Sequence, residues 1–237
     1  MAVKVALVGY GRMGKEVEKV LREKGYEVVG VVERGTPLSP IDGADVVVEF
    51  ALPEATLPAL KYAAERGKRY VFGTTGHTPE QMEEIRRLSE RIAILYSPNF
   101  SRGIAVLRFV LGEVLPLLQD WDREVFEIHH RWKKDAPSGT ALALAHLLGD
   151  EVVIGRRGPR REGEVGVASV RGGDVFGDHT VFFLGDGERI EITHRLTSRR
   201  ALALGVPPAI DFILGKDRGF YTYDDVLRAM AKGYGEG

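Results

Sequence analysis

VKVALVGYGRMGKEVEKVLREKGYEVVGVVER, residues Val3 to Arg34, carries the reading of the fold. Val3 to Val8 is an apolar strand run, Gly9-Tyr10-Gly11-Arg12-Met13-Gly14 is a glycine turn, and a helix is expected from about Lys15 to Lys24. Glu27 to Val32 reads as the next strand and delivers Glu33-Arg34, the acid standing nineteen positions after Gly14. A bare G-x-G-x-x-G says little. With a strand before it, a helix after it and an acid at that distance, it has the context of a dinucleotide fingerprint. The glycines allow a tight turn and close approach of a pyrophosphate, and Glu33 can accept from a ribose hydroxyl.

Working outward, strands are expected at Asp45 to Phe50, Arg69 to Phe72 and Ile92 to Tyr96, with helices at Glu54 to Arg66 and Pro79 to Arg91. This alternation implies a Rossmann-like, doubly wound parallel sheet, an α/β fold. Ligands of such sheets bind beyond the carboxyl ends of the strands. Those ends carry Gly9 to Gly14, Glu33-Arg34, Gly73-Thr74-Thr75-Gly76 and Ser97-Pro98-Asn99-Phe100, four loops expected to converge. Thr74, Thr75 and Asn99 can bond a ribose or an amide, and Phe100 can pack on a ring. Ordinary turn chemistry is the duller reading of each. A helix is expected from Ser101 to Leu118. Beyond it the pattern changes to strands at Gly163 to Arg171, Asp178 to Leu184 and Glu188 to His194. They predict a central α+β domain with a mostly antiparallel sheet. Ala201 to Leu214, interrupted at Pro207-Pro208, and Asp224 to Lys232 are helical, and residues 233–237 are expected to fray.

Between these parts lies EVFEIHHRWKKDAPSGTA, Glu124 to Ala141. Val125 to His130 alternates as a strand, so Val125, Glu127 and His129 share one face while Phe126, Ile128 and His130 share the other. Pro137 enforces an extended approach to Ser138, a good N-cap for a helix from about Gly139 to Leu148. That helix start brings Gly139 and Thr140, with backbone donors and partial positive charge, beside Lys133 and a histidine. The combination suits a small anionic substrate that also exchanges a proton. Adjacent histidines invite a metal, but strand neighbours point apart and no third ligand follows at ligand spacing, so none is expected. Glu127 and Asp135 read as ion-pair or turn residues, His179 and His194 as lining the cleft or, by preference, bonded within a sheet, and Arg199 and Arg200 as interface or solvent charges rather than catalysts.

Composition narrows the partners. A net charge of −1 from 33 basic and 34 acidic residues gives no long-range field for nucleic acid. No apolar run approaches the roughly 20 residues of a membrane span. The absence of cysteine removes disulfides, thiolate metal sites and thiol nucleophiles. The first strand begins at Val3, which makes the cytoplasm the expected location.

The chain resembles the dihydrodipicolinate reductase family. Its signature E-[IV]-x-E-x-H-x-x-x-K-x-D-x-P-S-G-T-A is met by Glu124, Val125, Glu127, His129, Lys133, Asp135, Pro137, Ser138, Gly139, Thr140 and Ala141. GRMG at Gly11, GTTG at Gly73, SPNFS at Ser97, RGGDVFGDH at Arg171 and EITHR at Glu191 extend the likeness along the chain. The resemblance implies NADPH- or NADH-dependent reduction of 4-hydroxy-tetrahydrodipicolinate, a small dicarboxylate, to tetrahydrodipicolinate in lysine and diaminopimelate synthesis. It implies a dinucleotide-binding domain of residues 1–100 and 200–237, a substrate-binding and oligomerisation domain of residues 101–199, hinge closure and a homotetramer. By it His129 is the proton donor or acceptor, Lys133 a proton donor and His130 a substrate contact, with Ser138, Gly139 and Thr140 at the substrate carboxylate. The cofactor-binding set is Gly9 to Gly14, Glu33, Arg34, Gly73 to Thr75 and Ser97 to Phe100. Two departures stand out. The first turn lacks one residue of the family's G-x-x-G-x-x-G spacing, and the stretch from Arg34 to Asp45 is short, trimming the adenosine end. A nucleotide sensor without chemistry and a reductase of another cyclic imine or keto acid are the rival readings.

Overall fold

A computed structural model of the chain describes residues 1–234. The chain runs β1 (Lys4–Val8), α1 (Arg12–Glu23), β2 (Glu27–Val32), β3 (Val46–Glu49), α2 (Pro53–Glu65), β4 (Arg69–Phe72), α3 (Pro79–Leu88), β5 (Ala93–Tyr96) and α4 (Arg102–Val114). It continues through β6 (Asp122–His129), α5 (Gly139–Leu148), β7 (Val152–Ile154), β8 (Val165–Arg171), β9 (Gly177–Gly185) and β10 (Glu188–Leu196). It closes with α6 (Arg200–Ala203), α7 (Val206–Leu214), β11 (Gly219–Thr222) and α8 (Tyr223–Tyr234). Two compact units result, one of residues 1–101 and 200–237, the other of residues 102–199.

The first unit holds a six-stranded sheet in the order β11-β5-β4-β3-β1-β2, and every pairing in it is parallel. Strand order reverses beside β1, so the β1 and β3 ends form the topological switch point of a Rossmann-type sheet. α1 turns Val17, Val20 and Leu21 inward at helical spacing. Tyr70, Phe72, Leu60, Ile85 and Ile94 fill the core, each fully buried, and each apolar side chain of that kind contributes about 1.5–3 kcal/mol. α7 completes the unit with buried Ala209, Ile210 and Ile213. Arg200, read from sequence as an interface or solvent charge, ties α6 to α1 through Glu23 at 2.5 Å.

The second unit holds a sheet in the order β10-β9-β6-β8-β7. Only β10–β9 and β6–β9 are antiparallel, while β6–β8 and β7–β8 are parallel, so this sheet is mixed rather than mostly antiparallel. The cause is α5. It crosses over after β6, as a parallel connection requires, and packs Ala141, Leu144, Ala145 and Leu148 in one core with Val125, Val167, Val181 and Phe183.

Element ends differ from expectation for local reasons. α4 stops at Val114 and tightens into a 3-10 turn over Leu115–Leu117, since Pro116 has no N–H to donate. α3 ends at Leu88, where the Ser89 hydroxyl donates to the Arg86 carbonyl. β7 and β11, three and four residues long, are too short to show a period. Gly233 and Tyr234, expected to fray, are helical backbone, and the rest of that expected segment lies outside the described residues.

Candidate functional site

Two glycines of the first turn, Gly9 and Gly14, have steric reasons of their own. Gly9 has φ +87°, and a Cβ there would stand 2.3 Å from the Phe50 carbonyl oxygen. At Gly14 a Cβ would stand 2.2 Å from the Gly9 carbonyl oxygen, so α1 can approach β1 only without a side chain. Nothing lies within 4 Å of a Cβ built on Gly11. Gly11 is the extended N-cap of α1 and has no side chain with which to cap it. The helix therefore starts at Arg12, inside the motif, and its positive end faces open space suited to a pyrophosphate. The shortened turn still supplies the tight bend, the open approach and the close helix packing.

Gly9, Tyr10, Gly11, Glu33, Arg34, Thr36, Leu38 and Ala51 are among the residues lining a cavity of about 780 Å³ at this switch point. Glu33 and Arg34 are exposed at its edge on a turn closed by Thr36, whose hydroxyl accepts from the Glu33 N–H at 2.8 Å. The short connection after Arg34 thus still walls the cavity through Thr36 and Leu38. Tyr10 donates to Glu18, and Lys15 Nζ lies 5.6 Å from its ring centre.

The β4 and β5 loops lie along the same sheet edge but outside that cavity. The Thr74 hydroxyl is already engaged: it donates to Glu49 Oε1 at 2.7 Å and accepts from the Ala51 N–H at 2.9 Å. Glu49 is fully buried, also accepts from Thr56 at 2.6 Å and Tyr70 at 2.5 Å, and burial raises its carboxyl pKa against those bonds. Phe100 is equally committed, 2% exposed and edge-on to Phe50 and Tyr223. Gly73 has no Cβ because the Phe50 ring fills that place. Thr75 and Pro98 are exposed, Asn99 accepts from the Ser101 N–H at 2.8 Å, and the Ser97 hydroxyl donates to the Asn99 carbonyl at 2.6 Å.

The second unit gathers the residues expected at the substrate. Glu127 and His129 share the buried face of β6, and His179 stands opposite Glu127 on β9. Glu127 is 0% exposed; its Oε1 accepts from the Ser138 N–H at 3.0 Å and from Arg171 Nη2 at 2.7 Å. Its Oε2 lies 3.2 Å from His129 Nδ1 and 3.7 Å from His179 Nε2. Burial pushes the carboxyl pKa up, but the bonds from Ser138, Arg171 and Ser169 together outweigh it and bring the value to about 2. Burial lowers the pKa of His129, opposed by the Glu127 charge, and takes that of His179 down to about 4. Ser138 caps α5 as expected, its hydroxyl accepting from the Ala141 N–H at 3.1 Å and lying 3.3 Å from His179 Nε2. Gly139 is exposed at the helix start, followed by half-buried Thr140. Lys133 Nζ pairs with Asp135 Oδ1 at 2.8 Å. His130, just past the strand, tilts against Trp132 at 5.8 Å.

Glu127, His179 and Arg171 were not among the expected site residues. Alternation along β6 placed Glu127 beside His129, but the convergence of β8 and β9 needed the sheet register. Glu127, His129 and His179 offer three atoms within 4.8 Å of one another, a cluster that neighbouring histidines on one strand did not suggest. Arg171 already neutralises the carboxylate, so a divalent cation there would be left uncompensated.

A Rossmann-type unit with an open glycine turn, in one chain with a second unit that gathers acid–base groups at a helix start, defines a nicotinamide-dependent oxidoreductase. Family models for the N-terminus and the C-terminus of dihydrodipicolinate reductase match residues 3–100 and 103–227. The 4-hydroxy-tetrahydrodipicolinate reductase of Aquifex aeolicus (strain VF5) is 44% identical over 264 residues, covering 96% of this chain and 99% of that protein. The protein of the same name from Archaeoglobus fulgidus is 41% identical over 257 residues, covering 95% and 100%. A solved dipicolinate-bound dihydrodipicolinate reductase from Paenisporosarcina sp. TG-14 superposes with a TM-score of 0.79 at 22% identity, covering 94% of this chain and 98% of that one. The chain belongs to the dihydrodipicolinate reductase family, the reductase of lysine and diaminopimelate biosynthesis. None of the described helices is long and apolar enough to cross a membrane.

Proposed function

We propose that the chain reduces 4-hydroxy-tetrahydrodipicolinate to tetrahydrodipicolinate with either NADPH or NADH, using His129 and Lys133 for proton transfer. The observation that carries this reading is that one buried carboxylate, Glu127, lies beside His129 and receives the N–H that starts α5, with Lys133 paired to Asp135 on the loop between them. When bound, the reduced nicotinamide supplies the hydride. Gly9 to Gly14 would hold the pyrophosphate. Glu33 would accept from the free ribose hydroxyl of NADH, and Arg34 would receive the extra phosphate of NADPH. The loops at Gly73 to Thr75 and Ser97 to Phe100 would contribute backbone groups, since the Thr74 hydroxyl and the Phe100 ring are committed elsewhere.

The substrate is a dicarboxylate, and two carboxylates need two partners. Gly139 and Thr140, with the α5 dipole behind them, take one, and Ser138 holds that helix start in place. Lys133, with His130, takes the other or the ring. Each charge-assisted contact contributes about 1.5–3 kcal/mol. The 4-hydroxyl leaves as water to give a conjugated ring imine, and where that ring accepts hydride Lys133 and His129 would deliver the one balancing proton. Oligomerisation as a homotetramer is assigned to the second unit, where Val170 of β8 and Ile190 of β10 are exposed. The biosynthetic role supports a cytoplasmic location.

The test generates the ring compound in place from pyruvate and aspartate semialdehyde with its synthase, and follows oxidation of NADPH and of NADH. Synthase-dependent oxidation is expected with both. Bound nucleotide without oxidation would overturn the reading in favour of another imine substrate or a sensor. Lys133→Ala should lower kcat by about 10²-fold or more while sparing cofactor affinity; the reverse pattern refutes the role of Lys133.

A further inference from the structure

We propose that Glu127 is the positioning residue of this site: one buried carboxylate sets the tautomer of His129 and keeps the Lys133 loop and the α5 start in register with that ring. The inference rests on the assignment of His129 as a proton-transfer group and goes on to name what makes it one.

The connections run through single atoms. Oε1 of Glu127 receives the Ser138 N–H, which fixes the residue from which α5 starts. The same oxygen receives Arg171 Nη2, and that nitrogen also donates to the Asp135 carbonyl at 2.6 Å. Asp135 pairs with Lys133. The proton-donor loop is therefore tied to the strand through one guanidinium. Oε2 is directed to the other partner. It lies 3.2 Å from His129 Nδ1, at ion-pair distance but off the line of a hydrogen bond, and neither atom has a hydrogen-bond partner among the described residues.

A buried anion beside one ring nitrogen favours the tautomer with its proton on that nitrogen, and it stabilises the ring when both nitrogens carry protons. Nδ1–H then stands beside Glu127, and Nε2 is left as the nitrogen that exchanges protons with a substrate. Nε2 faces Gly177, where a Cβ would stand 2.8 Å away, so the ring can take this position only because that residue has no side chain. The charged and titratable groups around His129 are Glu127 on β6, Lys133 and Asp135 on the following loop, Arg171 on β8 and His179 on β9. His194 on β10 stands opposite His179. Of these, Glu127 is the anion within 4 Å of Nδ1.

The experiment reads the ring directly. Protein labelled with ¹⁵N-histidine, its His129 resonance assigned by loss in His129→Asn, is expected to show His129 as the Nδ1–H tautomer above its titration. Glu127→Gln keeps the shape and removes the charge. It should shift His129 away from that tautomer, lower its pKa, move the alkaline limb of the kcat profile to lower pH and reduce kcat by about 10²-fold. The KM for nucleotide should stay within about twofold, as the nucleotide cavity belongs to the first unit. Wild-type His129 found as the Nε2–H tautomer overturns the proposal, and this holds even if Glu127→Gln does not fold. A pH profile of Glu127→Gln superimposable on wild type overturns it as well, as does stoichiometric zinc binding by wild type that Glu127→Gln abolishes. Full turnover by His129→Asn would instead sink the proton-transfer role itself, an outcome separable from the tautomer measurement.

Discussion

His179 makes the second unit sensitive to mild acid, and the size of the effect follows from its burial. The ring is 4% exposed, and burial first, then the neighbouring His129, depress its pKa from 6.5 to about 4. A histidine of depressed pKa takes its proton more readily when unfolded. The native state is therefore undiminished above the unfolded value of 6.5, loses stability as pH falls below it, and stops losing once pH passes the folded value. Between about pH 7 and pH 5 the linkage amounts to about 2 kcal/mol. Glu127 has the opposite sign and a separate window, since its depressed carboxyl contributes stability above 4.5 that is lost only as pH falls toward about 2. Work above about pH 5 keeps that contribution nearly constant. Both tryptophans, Trp121 and Trp132, lie in the second unit, so urea unfolding followed by tryptophan emission reports that unit. His179→Gln places an untitratable amide where Nε2 meets the Ser138 hydroxyl. Wild type should lose about 2 kcal/mol more than this variant between the two pH values. Equal losses in the two proteins would refute the account.

Gly9→Ala brings a methyl group against the Phe50 carbonyl at a positive φ, so it should cost about 1–2 kcal/mol in backbone strain alone and weaken nucleotide binding, read by titration of NADH fluorescence. Thr74→Val removes one hydrogen bond from buried Glu49, which keeps those from Thr56 and Tyr70, and takes away the acceptor of the Ala51 N–H; it should destabilise the first unit by about 1–3 kcal/mol in thermal unfolding, and Thr74→Ser should restore it. Arg34→Ala should raise the KM for NADPH and leave that for NADH unchanged, and an unchanged NADPH KM removes the arginine from phosphate recognition.

Much of the fold was legible because its signals are local. β1, β2 and β4 are continuous apolar runs, and the Ser138 cap and the glycine turn depend on residues a few positions apart. The second sheet was read as mostly antiparallel because hairpins such as β9–β10 advertise themselves through Gly185-Asp186-Gly187. The insertion of β8 between β6 and β7 leaves no such trace. A parallel neighbour is chosen by the packing of α5, and that packing is a property of the assembled core.

The same division runs through the site. Residues whose backbone does the work were readable from spacing: Gly9 by its turn, Gly14 by its packing, Gly139 by its place after an N-cap. Residues whose side chains serve another side chain were not. Thr74 looked like a cofactor contact because a hydroxyl at a strand end can bond many things, and only the fold shows Glu49 buried beneath it. Glu127 looked like an ion-pair or turn residue because its partners, Arg171 and His179, stand 44 and 52 positions away in sequence. Once β8 and β9 flank β6, that carboxylate lies between the histidine and the helix start. The two halves of the motif, E-x-H and P-S-G-T, are then one object in physical terms: the anion that orients the ring also receives the first N–H of the cap. A substitution that moves either half should therefore change proton transfer and carboxylate binding together.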